Sequence, residues 1–325
     1  MVARTVLTML AVAFAAPAVM PPNVPIVIAH RGASGHRPEH TLEGYTLAVE
    51  MGADFIEPDL VSTKDGVLIA RHENEMGGTT DVADRFPDRK RTKTVDGESI
   101  TGWFSEDFTL AEIKTLHARE RLPFRSHAYD GKFLIPTFDE VIELAQKLGT
   151  ARGRPVGIYP ETKHPTYFRG IGLPLEEPLL ASLAKHGWNR KESPVFIQSF
   201  EQGNLRALRG RTTVRLIQLV STAAQVTDDA LKQIASYADG IGAEKSLVVP
   251  VAADASLRPP TDLVSRAHAA GLLVHIWTIR VDKEFLPAGY HGDAGAEFRQ
   301  FRELGVDGVF TDFPDVAVKT YRGTK

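Results

Sequence analysis

The chain has 325 residues, 43% of them hydrophobic, with 38 basic against 41 acidic side chains and a net charge of -3. That is enough apolar material for a large α/β domain, and without a basic excess there is no electrostatic footprint for nucleic acid. Cysteine is absent, which excludes structural disulfides, cysteine nucleophiles and thiolate metal sites.

At the N-terminus Arg4 precedes an apolar run over 6–16, and Ala13-Phe14-Ala15 has the small-x-small pattern of a cleavage site. The run is shorter than the ~20 residues that span a bilayer. A secretory signal peptide over 1–20 is expected, and with it a periplasmic or secreted chain, 21–325, that makes no stable membrane insertion.

From residue 25 onward short apolar runs of β character recur at 25–30, 54–59, 156–161, 194–199, 213–219, 240–243, 272–278 and 307–311. Most are continuous apolar stretches, as parallel strands buried on both faces should be. Helical patterns lie between them at 41–51, 137–148, 175–186, 202–208, 228–235, 260–270 and 296–304. Gly52, Gly149, Gly187, Gly271 and Gly305 follow five of these, where a left-handed cap favours glycine. Alternating strands and helices predict a (β/α)8 barrel.

The segment 67–72 follows Asp59 too closely for a crossover helix, and Lys64-Asp65-Gly66 is turn chemistry. It is expected as an antiparallel return strand hairpinned to the second barrel strand. The polar stretch 73–136, with a single helical pattern at 110–118, is then an insertion at the C-terminal face and reads as a lid or substrate-side element.

In such a barrel the chemistry sits where the strands end. Glu57 and Asp59, two apart on a strand, point the same way, and Glu161 ends the third strand. Three carboxylates at one mouth repel unless a cation lies between them, and all-oxygen ligation suits Ca2+ or Mg2+, with no choice between the two. His30 ends the first strand and His72 is carried back by the return strand, so the pair suits general acid and base work. Arg31 has the fork for two phosphate oxygens, and a buried pair with Glu39 is compatible with that role. Lys163 shares the face of Glu161 and offers a second positive charge. Gln198, Phe200 and Trp277 lie at or just beyond strand ends and could wall a pocket. The remaining histidines, His36 and His40 among them, are expected at the surface or in packing roles.

These residues carry a resemblance. His30-Arg31-Gly32, Pro38-Glu39-His40-Thr41, Glu57-Pro58-Asp59, Thr63-Lys64-Asp65-Gly66 followed by His72, Pro160-Glu161-Thr162-Lys163, Ile197-Gln198-Ser199-Phe200, His275-Ile276-Trp277-Thr278 and Gly308-Val309-Phe310-Thr311-Asp312 occur in the order and spacing of the glycerophosphodiester phosphodiesterase family. The chain resembles its secreted or periplasmic bacterial branch from about residue 25 to the end. The resemblance implies a TIM barrel with an insertion after the His72 hairpin. It implies cleavage of small glycerophosphodiesters such as glycerophosphocholine to glycerol 3-phosphate and an alcohol. It implies metal ligation by Glu57, Asp59 and Glu161, catalysis by His30 and His72, and phosphate contacts from Arg31 and Lys163. Glu73 departs from the family's usual Asp after the second histidine. Two rival uses of the same barrel are a phospholipase acting on intact lipid and a binding protein without turnover.

Overall fold

The computed structural model describes residues 24–323, so the expected signal peptide lies outside them. The eight barrel strands are β1 (Ile26–His30), β2 (Phe55–Glu57 and Asp59–Ser62), β3 (Gly157–Ile158 and Glu161–Thr162), β4 (Phe196–Ser199), β5 (Arg215–Val220), β6 (Gly240–Glu244), β7 (Leu273–Ile279) and β8 (Gly308–Thr311). Each runs parallel to its neighbours, and β1 pairs with both β2 and β8, which closes the ring. Proline has no N–H for the ladder, and β2 and β3 are each interrupted beside one, at Pro58 and Pro160. Pairing resumes beyond the breaks, with Asp59 directly opposite Glu161.

Eight helices follow the strands: α1 (Leu42–Glu50), α2 (Phe138–Arg152), α3 (Glu176–Lys185), α4 (Gln202–Arg209), α5 (Asp228–Ala235), α6 (Leu263–Ala269), α7 (Ala294–Glu303) and α8 (Pro314–Arg322). The last was not among the expected helices. Pro314 at its first position supplies a φ suited to helix entry, a signal that strand-directed reading passes over. α2 runs beyond its expected end. Gly149 stays inside the helix because a Cβ there would lie 3.1 Å from the Val156 nitrogen, and Gly153 supplies the left-handed cap at φ 67°. Thr137 and Glu140 form the capping box that starts α2.

The period of two sorts each strand. Val27, Ala29, Ile56, Ile158, Ile197, Leu216, Ile241, Val274 and Val309 face the helices in one large core. Ile28, Tyr159, Phe196, Ile217 and Phe310 fill the barrel from within as a second cluster. Glycine makes room for the large rings: a Cβ on Gly157 would lie 2.2 Å from the Phe55 ring, and one on Gly308 2.7 Å from the His275 ring.

The return strand Leu68–Ala70 pairs antiparallel with the second half of β2, as the turn chemistry predicts. The insertion differs from its expected form. It holds a hairpin, Arg91–Val95 with Glu98–Gly102, and its helix at 110–118 is only the single turn Leu110–Ile113. Its polar composition conceals apolar anchors: Met76, Val82, Phe104, Phe108, Ile113 and Leu116 are fully buried, and all but Phe104 join the barrel's large core. Polar contacts dock it around the mouth. The Ser105 hydroxyl donates to the Ser62 carbonyl at 2.8 Å, the Tyr167 hydroxyl to Glu106 at 2.5 Å, and Arg121 Nε to Glu39 at 2.9 Å.

Inside the barrel His275 is fully buried with Nδ1 2.7 Å from the Tyr159 hydroxyl. Burial, with a smaller contribution from Arg215 and against Asp307, pushes the imidazole down from 6.5 to about 4. The unfolded chain binds this proton near pH 6.5 and the folded one does not, so the stability involved is complete above that pH and is lost as the pH falls toward 4. Urea melts of His275→Gln across this window should show a stability slope shallower than the parent's by about 1.4 kcal/mol per pH unit. Equal slopes would mean that His275 is not the buried neutral base described.

Candidate active site

Every inward position at the C-terminal end of β1 to β4 is polar. His30, Glu57, Asp59, Glu161, Lys163 and Gln198 continue the same inward tracks that carry Ile28, Phe55, Tyr159 and Phe196 below. The site is therefore the last layer of the barrel interior, built by a change from apolar to ionisable side chains without a change of backbone direction.

Ligating oxygens of Glu57, Asp59 and Glu161 lie within 4.8 Å of one another, and all three residues are buried. Glu57 accepts the Arg31 backbone N–H at 2.7 Å and the Gln198 amide at 3.1 Å. Asp59 Oδ2 meets His40 Nε2 at 2.9 Å, while its Oδ1 is buried with no partner among the described residues. Burial and the neighbouring Asp59 push the Glu57 carboxyl well above the usual carboxylate range. Burial also lifts Glu161, to about 8, against the opposing charge of Lys163. For Asp59 burial acts in the same sense, but the His40 hydrogen bond and the Lys163 charge help to outweigh it and hold the carboxyl well below its ordinary value. An unpartnered buried oxygen beside two carboxyls that resist ionisation is the electrostatic shape of a site short of positive charge. These residues fit a divalent cation and could hold one.

His30 and His72 face the same cleft. His30 Nδ1 is 2.6 Å from Asp312 Oδ1, and His72 Nδ1 is 2.7 Å from Glu73 Oε1. An ionised carboxylate at each Nδ1 fixes the N–H there and turns Nε2 into the free lone pair. The Lys163 ammonium, 3.2 Å from His72 Nε2 and 3.0 Å from Glu161, agrees with that tautomer. Burial, then Arg31, pushes His30 down to about 3, and burial, Arg31 and Lys163 lower His72. Both imidazoles are neutral in the free enzyme. Glu73, the departure from the family pattern, also meets His164 Nε2 at 2.8 Å, so the longer side chain spans two histidines.

Arg31 takes a left-handed φ of 58° and His40 one of 57°. These two turns fold the loop after β1 back over β2, closed by the His40 N–H to the Arg31 carbonyl at 3.0 Å. Arg31 Nη1 donates to Glu39 at 3.0 Å, as the sequence allowed, while its buried Nε, 3.4 Å from Asp59 Oδ2, makes no hydrogen bond among the described residues. His30, Arg31, Glu57, His72, Gln198, Phe200 and Trp277 line one cleft of about 160 Å³, with Thr278, Arg280, Leu219 and Phe310. The Phe200 and Trp277 rings meet edge to face at 5.7 Å and form one wall. Lys163 is not among the lining residues; its ammonium lies 5.9 Å from the Phe200 ring centroid and is engaged by Glu161 and His72.

Sequence reasoning missed three parts of this arrangement. His40, expected at the surface or in packing, is buried, and its bond to Asp59, set by a left-handed backbone that turns it inward, was not foreseen. Asp312, which extends the inward track of β8, holds His30 from 282 positions away. Arg280 donates to Asp312 Oδ2 at 2.8 Å. Only Asp312 had a usable signal, its parity with Phe310.

With the geometry described, its relatives are informative. The sequence matches the Glycerophosphoryl diester phosphodiesterase family over residues 30–316. It is 42% identical to the Arabidopsis thaliana glycerophosphodiester phosphodiesterase GDPD6 over 316 residues, covering 89% of this chain and 84% of that protein. It is 32% identical to the Haemophilus influenzae glycerophosphodiester phosphodiesterase, covering 92% and 90%. The fold superposes with a TM-score of 0.63 on an Oleispira antarctica phosphodiesterase solved in complex with the product sn-glycerol-3-phosphate, at 22% identity and covering 91% and 96%. The family match and these relatives, and not the barrel alone, define the class as phosphoric diester hydrolase. The chain belongs to the glycerophosphoryl diester phosphodiesterase family and is an enzyme of that class.

Calcium or magnesium ions should raise the melting temperature of the chelator-treated protein, and most of that rise should vanish in Glu161→Gln. Equal rises in both would place cation binding elsewhere.

Proposed function

We propose that the protein is a metal-dependent glycerophosphodiesterase that releases glycerol 3-phosphate and an alcohol from deacylated phospholipids, with His30 and His72 as its proton carriers. The observation that carries this reading is the single cleft shared by two neutral histidines, an arginine and the edge of a buried carboxylate triad. Relatives named for this activity at up to 42% identity support it, as does the product complex of the Oleispira antarctica enzyme.

Glu57, Asp59 and Glu161 would hold one divalent cation, Ca2+ or Mg2+, which when bound supplies Lewis-acid neutralisation of phosphoryl charge. Arg31, whose guanidinium lines the cleft, meets the phosphodiester, and Lys163 adds positive potential beside the carboxylates. One histidine takes the proton of the attacking oxygen through Nε2, and the other returns a proton to the departing alcohol. The free enzyme holds both imidazoles neutral, and the anionic diester between them supplies the charge that favours a protonated acid. Phe200 and Trp277 give the alcohol an aromatic wall. Docked around the mouth, the insertion 73–136 acts as the substrate-side lid of one barrel domain, 21–325. We place the mature protein in the periplasm or outside the cell, on the strength of the signal-like residues 1–20.

Two measurements test the reading. His30→Ala and His72→Ala should each lower the rate of glycerol 3-phosphate release from glycerophosphocholine by at least ~100-fold while the cation-induced rise in melting temperature survives; near-parent turnover in either would remove that residue from acid–base work. Chelator should abolish release, and Ca2+ or Mg2+ should restore it; full activity after exhaustive chelation would exclude a metal-dependent reaction.

A further inference from the structure

On the His30 side the insertion reaches the ionisable layer through Arg125. Arg125 lies in a polar loop, yet its side chain is only 6% exposed and reaches the ends of β1, β7 and β8. Its Nη2 lies 2.6 Å from Asp312 Oδ2 and 2.6 Å from Asp282 Oδ2, its Nε donates to Asp282 Oδ1 at 3.2 Å, and its Nη1 donates to the Ser34 carbonyl at 3.1 Å. Asp312 is the carboxylate whose other oxygen holds His30 Nδ1 at 2.6 Å. One guanidinium therefore joins the insertion, the loop after β1, the loop after β7 and the end of β8.

The charges around it close. Asp312 and Asp282 face Arg125 and Arg280, two against two, with His30 neutral between Asp312 and the cleft. Removing one cation leaves an unbalanced buried carboxylate, which is costly and free to reorient. The two arginines are not equivalent. Arg280 lines the substrate cleft and is open to an incoming anion, whereas Arg125 is absent from the cleft wall and has all its contacts behind Asp312.

We propose that Arg125 is a positioning residue for the reaction: by clamping Asp312 from behind it fixes the His30 ring, so that docking of the insertion completes the catalytic histidine. The inference rests on the reading of His30 as a proton carrier. Arg125 does not touch substrate, so its loss acts on turnover and leaves binding alone.

The decisive experiment uses the whole chain with glycerophosphocholine as substrate and separates positioning from mere tethering of the lid. Arg125→Ala should lower kcat by about 10- to 100-fold with KM near the parent's, the scale of a misplaced catalytic group. Guanidinium chloride, added far below denaturing concentration against a sodium chloride control, should recover much of that loss. A free guanidinium ion can refill the space between Asp282 and Asp312 but cannot tie the insertion to the barrel. Asp282→Asn, which unpins Arg125 without touching Asp312 or His30, should also lower kcat at constant KM, and it keeps the test open if Arg125→Ala does not fold. Parent-like kcat in either variant, or a loss that guanidinium does not recover, would overturn the positioning role while leaving an inactive His30→Ala and the proposed function intact. An active His30→Ala would instead sink the underlying reading.

Discussion

Crowding of buried negative charge is the constraint around which this protein is organised. Three carboxyls open into one layer where water is scarce, and two of them resist ionisation there. Like charges in such a place are tolerable only when cations and donors are fixed in answer to them. Arg31, Lys163, His40, Gln198 and a backbone N–H provide part of that answer. The barrel supplies the rigidity that keeps these groups from relaxing apart. Below the polar layer lies a packed floor of Tyr159, Phe196 and Phe310, whose rings meet at 4.9–5.0 Å. The floor keeps water from entering beneath the site and sets the height at which each inward track changes from apolar to ionisable.

The same logic runs outward from the histidines. Each imidazole rests on a carboxylate, and each carboxylate is itself held by further groups: Asp312 by two arginines, Glu73 by His164. His164 is in turn bonded to Asp96 at the tip of the insertion's hairpin, at 2.6 Å. Both histidines are thus linked by hydrogen bonds to the insertion, one through Asp312 to Arg125 and the other through Glu73 and His164 to Asp96. The insertion is continuous with the ionisable layer, and its cost in ordered chain is offset by the apolar residues it adds to the barrel's large core.

Much of this was legible in the sequence because a strand alternates strictly. Once the apolar residues of β1 to β4 are assigned inward, the parity of His30, Glu57, Asp59, Glu161, Lys163 and Gln198 follows without further information. The return strand was legible for a similar reason, since too few residues separate Asp59 from 67–72 to allow a crossover. What could not be read was whatever depends on non-local approach. Arg125 is one arginine in a charged loop, and nothing near it in sequence names Asp312. His40 sits in a polar stretch that looks solvated, and only the left-handed turns at Arg31 and His40 reveal that it is folded inward. The insertion's apolar anchors escaped because its buried aromatics are scattered among charges with neither helical nor strand period.

The pairing of His30 with Asp312 has a consequence for the order of events during synthesis. β1 is among the first elements of the described chain to be made, and the carboxylate that holds its histidine is among the last. Until β8 is in place β1 also lacks one of its two neighbours in the barrel. A chain still emerging from the ribosome can hold the whole acidic triad, the return strand and the insertion, yet its first histidine has nothing to orient it. The step that closes the barrel is also the step that gives His30 its carboxylate.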